Sequence, residues 1–373
     1  MVVIFLYFSL FLGIHFLAKQ FKRPGTARLF QLVACFILLF VFFGFRDITI
    51  LNDTSHYCFF YDKKVHLTHY KEESIFAFHL TDRFEYGFQV LIHILVKYVS
   101  KTPFTLIILS SFIITVGNLW FFNKHSHNIA LLCFYMLIAS LFFTHYCIIR
   151  QAFSIIIFYV AYDYWERGKT GKYYLLIACA CLFHYSAAFL FLLPTICKLK
   201  FNPRNILITV GTAVAIAANI FLLLTMLGLR EHPYYKTFVQ KETLALVGLA
   251  DLAQIILILA ICFLAYKNNK SAQIDKRYWW MCILTLSISL VSTVLYPVAR
   301  INEYFWPFII LLLAKLTEGN RGWSNLLRLA FVTIFITKLI GVNTFRPEWL
   351  HIEPYKFYDF SKKNHNYNLY PQE

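Results

Sequence analysis

Apolar runs long enough to cross a bilayer follow one another along nearly the whole chain. They begin at 2–18 and 29–45 and continue to 324–342, with mostly short polar segments between them. A helix needs about 20 apolar residues to cross the hydrocarbon core, where every backbone amide must be paired. The 373 residues therefore predict an all-α, polytopic membrane protein of roughly 10–12 hydrophobic helices.

The composition limits the other classes of function. Hydrophobic residues make up 59% of the chain and charged residues 14%, which leaves no soluble domain, so 1–373 is predicted to be a single transmembrane domain. The net charge of +16 indicates basic cytoplasmic loops rather than a nucleic-acid partner. The nine cysteines, apart from Cys58, lie in apolar segments and are interpreted as small hydrophobic residues.

Loop charges predict the orientation. The loop after the first span is basic, with Lys19, Lys22, Arg23 and Arg28, so it should be cytoplasmic and the N-terminus should lie outside. The first span has no basic start and no cleavage site, and we expect it to be retained. Alternating spans then place three segments on the outer face, namely 46–84, 228–246 and the tail 343–373.

The stretch 148–194 carries an Arg-Gln pair at one end and a histidine in its second half. The loops 166–172 and 198–204 are both basic. If both are cytoplasmic, the run 173–197 enters and leaves on one side as a broken hairpin with His184 at its tip, and 129–146 is a non-crossing pair. Full spans with one basic loop outside are the alternative, because the charge rule is a bias. Broken helices require a cavity or protein around them.

Polar side chains collect on the predicted outer face, although loop charges elsewhere set the orientation. Polar groups at membrane depth are functional candidates. Simpler interpretations remain open, since an arginine can snorkel to the interface and a carboxylate can cap a helix. The outer-face set consists of Arg46, Asp47, Asp53, His56, Tyr57, Asp82, Arg83, Glu85, Arg150, Gln151, Arg300, Glu303 and, in the broken-hairpin topology, His184.

The arginines suit a diphosphate. Guanidinium groups bind phosphate oxygens bidentately, stay charged at any working pH, and would stabilise a lipid diphosphate as a leaving group. We predict that Arg150 and Arg300 hold the diphosphate and that Arg46 assists. No Asp-x-Asp pair and no metal-ligand spacing occurs, so the chemistry is predicted to be metal-independent and without a cofactor.

A base is needed for an attacking hydroxyl. His184, or failing that Asp53 or Glu85, could take the proton. Gln151 and Tyr57 are predicted as further substrate contacts. For Tyr57 the reason is that aromatic faces suit the apolar faces of sugar rings.

Four stretches carry a resemblance to a known family: FGFRDITILNDTSHY at 43–57, FEYGFQVLIHIL at 84–95, the run from Ile149 to Pro194, and ARINEYFWPF at 299–308. The most specific piece is the Arg-Gln segment followed by a basic turn and Phe-His-Tyr-Ser. These stretches resemble the EpsG-type, Wzy-like polysaccharide polymerases.

The resemblance implies a fold related to the C-type membrane glycosyltransferases. It implies an enzyme that joins undecaprenyl-diphosphate-linked oligosaccharide units at the periplasmic face of the bacterial inner membrane, making O-antigen, capsular or exopolysaccharide. Membrane lipid, a flippase and a chain-length regulator of the same pathway are the expected partners. The residues carried over by the resemblance are Arg46, Asp53, Glu85, Arg150, Gln151, His184 and Arg300.

Two other classes stay open. A flippase for the same lipid-linked glycan would need a cavity reachable from both faces, ideally with an internal repeat, and no repeat is seen. A membrane O-acyltransferase or ligase of surface polysaccharide would need its acyl donor site on the cytoplasmic side. The face on which His184 lies therefore separates an acyltransferase from a polymerase.

Overall fold

The structure of the protein is a computed structural model. Its described part divides by contacts into two compact units, Met1–Ala188 with Leu339–Glu373, and Phe189–Lys338. Two contact units are compatible with one membrane domain, so the single transmembrane domain stays a prediction. The structure describes residues 2–66, 74–77, 84–226, 228, 256–260, 263, 274–316, 322–345, 347 and 351–361.

Helices make up the regular structure of the first unit, which confirms the predicted all-α class. The one β-type pairing among the described residues is an isolated bridge between Arg46 and Phe357. A π-helical turn, Leu95–Val99, extends α4. The helices are α1 (Val2–Ala18), α2 (Pro24–Gly44), α3 (Asn52–His66), α4 (Tyr86–Ile94), α5 (Phe104–His125), α6 (Ile129–Ile138), α7 (Leu141–Cys147), α8 (Ile149–Glu166) and α9 (Thr170–Cys181).

Polar contacts tie the helices of this unit at one end. Helix α2 packs against α5, α1 against α6, and α8 against α9. The Arg28 side chain bonds to the side chain and the backbone of Asn123, which joins α2 to the end of α5. Lys124 pairs with Asp163, which joins α5 to α8. These pairs lie at the opposite end of α8 from Arg150.

The stretch 129–146, which the broken-hairpin topology makes a non-crossing pair, forms the bent pair α6 and α7, and whether it crosses stays a prediction. The two helices meet at 76°, which describes either a broken span or a re-entrant loop. The bend lies at Ser140, whose φ of 63° is left-handed and interrupts the helical path.

The run after α8 is also broken, as the broken-hairpin topology requires. Gly168, at a φ of 74°, turns the chain from α8 into α9. Helix α9 ends at Cys181, and a 3-10 helix, Tyr185–Leu192, begins three residues later. His184 lies in this break. The break is therefore confirmed, and the face to which it opens stays a prediction.

Helices also form the second unit. Asn202 caps α11 by accepting a hydrogen bond from the Asn205 backbone N–H at 2.9 Å, and α11 packs against α13. A 3-10 helix, Tyr296–Tyr304, connects α13 to α14. The 3-10 helix at 185–192 crosses from the first unit into the second, and the last helix crosses back. The remaining helices are α10 (Leu193–Lys198), α11 (Pro203–Ala218), α12 (Ile220–Met226), α13 (Lys276–Ser292), α14 (Trp306–Leu316) and α15 (Gly322–Phe345).

Several helices are apolar enough for a membrane. Among the described residues, three have the length and hydropathy of a span, Pro24–Gly44, Phe104–His125 and Ser324–Phe345, and the bent pair makes up to four. Shorter apolar helices of 10–17 residues accompany them. The polytopic membrane class is confirmed. The predicted number of spans and the outer-face loop 228–246, of which only Gly228 is described, stay predictions.

Candidate active site

The site is built around the carboxylate of Glu85. Glu85 precedes the first turn of α4 with an extended backbone (φ −64°, ψ 152°), and its side chain is 4% exposed. One carboxylate oxygen, Oε2, pairs with Nη1 of Arg150. The other, Oε1, lies 2.9 Å from Nδ1 of His184. A buried carboxylate that pairs with two groups from separate segments joins those segments at one point.

Arg150 stands at the start of α8 against aromatic rings. Its guanidinium carbon lies 4.8 Å from the ring centroid of Phe84 and 6.0 Å from that of Tyr57. Its Nε donates to the Tyr57 hydroxyl at 3.5 Å. The cation–π contact and the ion pair fix the guanidinium plane. Among the residues that the structure describes, none bonds to Nη2, and the side chain is 19% exposed, so the site keeps a cationic donor group.

His184 presents one ring nitrogen to Glu85. A carboxylate at Nδ1 favours the tautomer with the proton on Nδ1, which leaves a lone pair on Nε2. Among the residues that the structure describes, none bonds to Nε2, and the His184 side chain is 14% exposed. Glu85 therefore orients His184 in the way that suits a general base.

A glycine lets these segments meet. The Gly87 backbone N–H donates to the Leu182 carbonyl at 2.7 Å, which brings the start of α4 against the break after α9. A Cβ at position 87 would lie 2.9 Å from the Leu182 oxygen and 3.1 Å from its carbonyl carbon. Only glycine fits that approach without a shift of the backbone, and the shift would move His184 relative to Glu85.

Helix α3 supplies Tyr57 and Asp53, which lie one turn apart on one face. Tyr57 is buried, and its ring packs edge-on to Phe88 with 5.3 Å between the centroids. Asp53 is partly buried, and its backbone N–H lies 3.5 Å from the sulfur of Cys147 at the end of α7. Tyr57 thus joins the Glu85–Arg150–His184 cluster directly, and Asp53 stands beside it on the same helix.

Arg46 is placed differently from the other candidates. It is fully buried, and its guanidinium bonds to the Phe43 carbonyl, the Ser111 hydroxyl at 3.0 Å, the Thr54 hydroxyl at 3.3 Å and the Tyr146 carbonyl at 2.9 Å. Four protein oxygens therefore surround the charge. This environment favours a structural role, and the assisting role in diphosphate binding stays a prediction.

Gln151 and Arg300 are the last two candidates. Gln151 follows Arg150 in α8 and is buried. Arg300 lies in the 3-10 helix Tyr296–Tyr304 of the second unit and is partly buried. Their substrate contacts stay predictions.

Two residues of the site were not singled out from the sequence. Phe84 lies under Arg150, and Gly87 permits the contact with Leu182. Both flank Glu85 in the pentapeptide FEYGF, and that adjacency is the signal that could have found them. Within the described ranges no group of three His, Cys, Asp or Glu side chains could hold a metal ion, and metal independence stays a prediction.

Fold and site together define a multi-pass helical membrane protein with a charged cluster at a break between apolar helices. The sequence model of the EpsG family matches residues 29–357. The chain belongs to this family, which supports a membrane protein of the polysaccharide polymerase type. No curated protein and no solved structure matches the chain.

Proposed function

We propose that the protein polymerises undecaprenyl-diphosphate-linked oligosaccharide units at the outer face of the bacterial inner membrane. The product would be an O-antigen, capsular or exopolysaccharide. Family membership supports the class of reaction. The observation that carries the proposal is Glu85, whose carboxylate pairs a guanidinium with an imidazole in one cluster.

Arg150 binds the donor in this proposal. Its Nη2 group and its charge engage the diphosphate between the growing glycan and the prenyl chain. As the bond from the anomeric carbon to the diphosphate oxygen breaks, negative charge grows on the leaving group, and a fixed guanidinium stabilises it. Arg300 is the second candidate for this diphosphate.

His184 activates the acceptor. Nε2 takes the proton of a sugar hydroxyl on the incoming unit, the hydroxyl oxygen bonds to the anomeric carbon, and undecaprenyl diphosphate leaves. The imidazolium that forms is stabilised by Glu85 and returns its proton to water. Asp53, one turn before Tyr57, is the alternative base.

Deletion of the gene in its host, with the surface glycan run on a gel, tests the function. We expect a ladder of chain lengths to collapse to a core with a single repeat unit, and wild-type protein to restore the ladder. Complementation with Arg150→Ala at a normal protein level should leave the ladder collapsed, and full restoration would contradict the proposal.

The same gel separates the other classes. Complete loss of the glycan, with lipid-linked units trapped inside the cell, would indicate a flippase. An unchanged ladder that has lost acyl groups would indicate an acyltransferase. Either result would contradict the proposal that the protein is a polymerase.

A further inference from the structure

The tail of the chain pairs with the segment that leads into α3. The Asp47 backbone N–H donates to the Lys356 carbonyl at 2.9 Å, and the Tyr358 backbone N–H donates to the Phe45 carbonyl at 2.9 Å. Arg46 and Phe357 form the antiparallel bridge between these two bonds. Backbone pairing fixes the register of both segments whatever their side chains are.

Two tyrosines anchor the tail. Tyr355 stacks on Phe42, with 4.5 Å between the centroids and 11° between the ring planes, and its hydroxyl donates to the Phe42 carbonyl. Tyr358 stacks on Phe104 at 3.8 Å and 12°, and it belongs to a buried cluster with Cys58 of α3. The tail is therefore packed into the first unit on both sides of the bridge.

A third backbone bond reaches the residue before α3. Leu51 has a φ of 67°, a left-handed conformation that is unfavourable for a side chain of this size. Its backbone N–H donates to the His351 carbonyl at 3.1 Å. The tail thus supports Leu51 in its strained conformation, and Leu51 directly precedes α3. Helix α3 in turn contains Tyr57, whose hydroxyl accepts a hydrogen bond from Arg150.

We propose that residues 351–361, named the C-terminal strap, position helix α3 for the reaction, with Tyr355 and Tyr358 as positioning residues. The proposal rests on the proposed function. The strap acts through α3, because α3 carries the phenol that bonds to the Arg150 guanidinium. Loss of the strap would release Leu51, let the first turn of α3 move and loosen Arg150.

Thiol labelling of the purified full-length protein in detergent tests the geometry without any assay of activity. The Cys58 side chain is buried beside Tyr358, and Cys147 is buried beside the Asp53 backbone. In Tyr358→Ala we expect maleimide labelling of both thiols to rise by about fivefold or more, because the covering contacts open locally. Lys356→Ala, whose exposed side chain leaves the backbone carbonyl in place, is the matched control and should not change the labelling.

Glycan elongation by the same variants tests the role. We expect Tyr358→Ala to lose about 10- to 100-fold of the elongation rate, since small displacements of a positioning group cost that much. Tyr358→Phe keeps the ring stack and should restore the rate, which separates positioning by the ring from a role of the hydroxyl. A normal size-exclusion profile of each variant shows that it is folded.

The outcomes are distinguishable. Raised labelling with lost elongation, rescued by Tyr358→Phe, supports the strap. Unchanged labelling in Tyr358→Ala, or full elongation where Arg150→Ala is inactive, overturns the strap and leaves the proposed function standing. If Arg150→Ala elongates normally, the proposed function fails and with it the strap as a positioning element for this reaction.

Discussion

Glu85 is the residue on which the charged cluster depends. Its carboxylate is nearly inaccessible, and it is the shared partner of Arg150 and His184. Without that carboxylate, the Arg150 guanidinium would lose the negative charge that pairs with it beside Phe84 and Tyr57. A partly buried charge without its partner is unfavourable. The imidazole would also lose the group that orients it.

Replacing Glu85 by glutamine tests this dependence. The amide keeps the shape and removes the charge, so we expect the elongation rate to fall by about 100-fold or more, because the base is no longer oriented and its cationic form no longer stabilised. The measurement is elongation by purified protein in liposomes. Asp62→Asn, at the other end of α3, is the control, and an unchanged rate in Glu85→Gln would contradict the assignment.

His184 should affect the chemical step more than binding. For His184→Asn we expect the turnover to fall by about 100- to 10,000-fold, the range for loss of a general base, with little change in donor affinity. Single-turnover elongation and binding of a labelled lipid-linked unit separate the two effects. His66→Asn removes an exposed imidazole of α3 and should leave both unchanged. Lost binding with normal turnover would assign His184 to the substrate contact instead.

Arg46 should matter for folding. Its guanidinium bonds to four oxygens from α2, α3, α5 and α7. In Arg46→Lys a single ammonium cannot satisfy them all, and we expect a stability loss of about 3 kcal/mol or more. Thermal unfolding in detergent measures it, with Arg167→Lys at an exposed site as the control. A variant of wild-type stability that no longer binds the lipid-linked donor would instead support the diphosphate role predicted from the sequence.

At the scale of elements, the site exists because the start of α4 touches the break after α9. The two segments are far apart in sequence, and a hydrogen bond between the Gly87 N–H and the Leu182 carbonyl joins them. The contact sets the distance between Glu85, two residues before the glycine, and His184, two residues after the leucine.

Gly87→Ala tests this contact. The new methyl group would overlap the Leu182 carbonyl, so the break must move away, and we expect the elongation rate to fall by about 100-fold with modest loss of stability. Gly171→Ala is the matched control, because nothing lies within 4 Å of a Cβ built there. Equal rates in both variants would show that the approach of α4 to the break is not needed.

The elements also show what sequence reasoning could reach. Loop charges left two topologies open, and one of them predicted a non-crossing pair at 129–146 and a broken run after it. The structure has a bend of 76° in the first stretch and a break at His184 in the second, and it does not test whether 129–146 crosses. Hydropathy and charge act locally, so both features are visible along the chain. The pairing of Glu85 with His184 is not, since it depends on a backbone approach that only Gly87 permits.

The same limit explains the case of Arg46. It stands among polar residues on the predicted outer face just as Arg150 does, and the sequence gives both the same chemistry. What separates them is the number of protein oxygens around each guanidinium, which is a property of packing. Residue type predicted both arginines as candidates. Only the fold shows that Arg150 belongs to the charged cluster and that Arg46 is enclosed by protein oxygens.

At the scale of the whole molecule, α8 has charged side chains near both of its ends. It has 18 residues, a length of about 27 Å, with Arg150 in its first turn. The pair of Lys124 with Asp163 lies near its last turn, followed by the exposed Arg167. Helix α8 is not among the described helices that have the length and hydropathy of a span, and that it crosses the bilayer with one end on each side stays a prediction.

Labelling from each side of the membrane tests this orientation. Cysteines placed at the exposed positions His56 and Arg167 should react from opposite faces, with His56→Cys labelled in intact cells by an impermeant maleimide and Arg167→Cys labelled only in inverted vesicles. The unsubstituted protein is the control for the native thiols. Labelling of both from one face would overturn the predicted topology, and an inner-face His56→Cys would favour the acyltransferase.

The bridge between Arg46 and Phe357 also bears on how the protein is made. Tyr355 is 313 residues from its partner Phe42, so every residue between them must be synthesised before the two can meet. Until residue 351 has been made, the Leu51 backbone N–H lacks the carbonyl that accepts its hydrogen bond in the folded protein. A nascent chain that stops before residue 351 would contain every residue of the charged cluster and still lack this closing step of assembly.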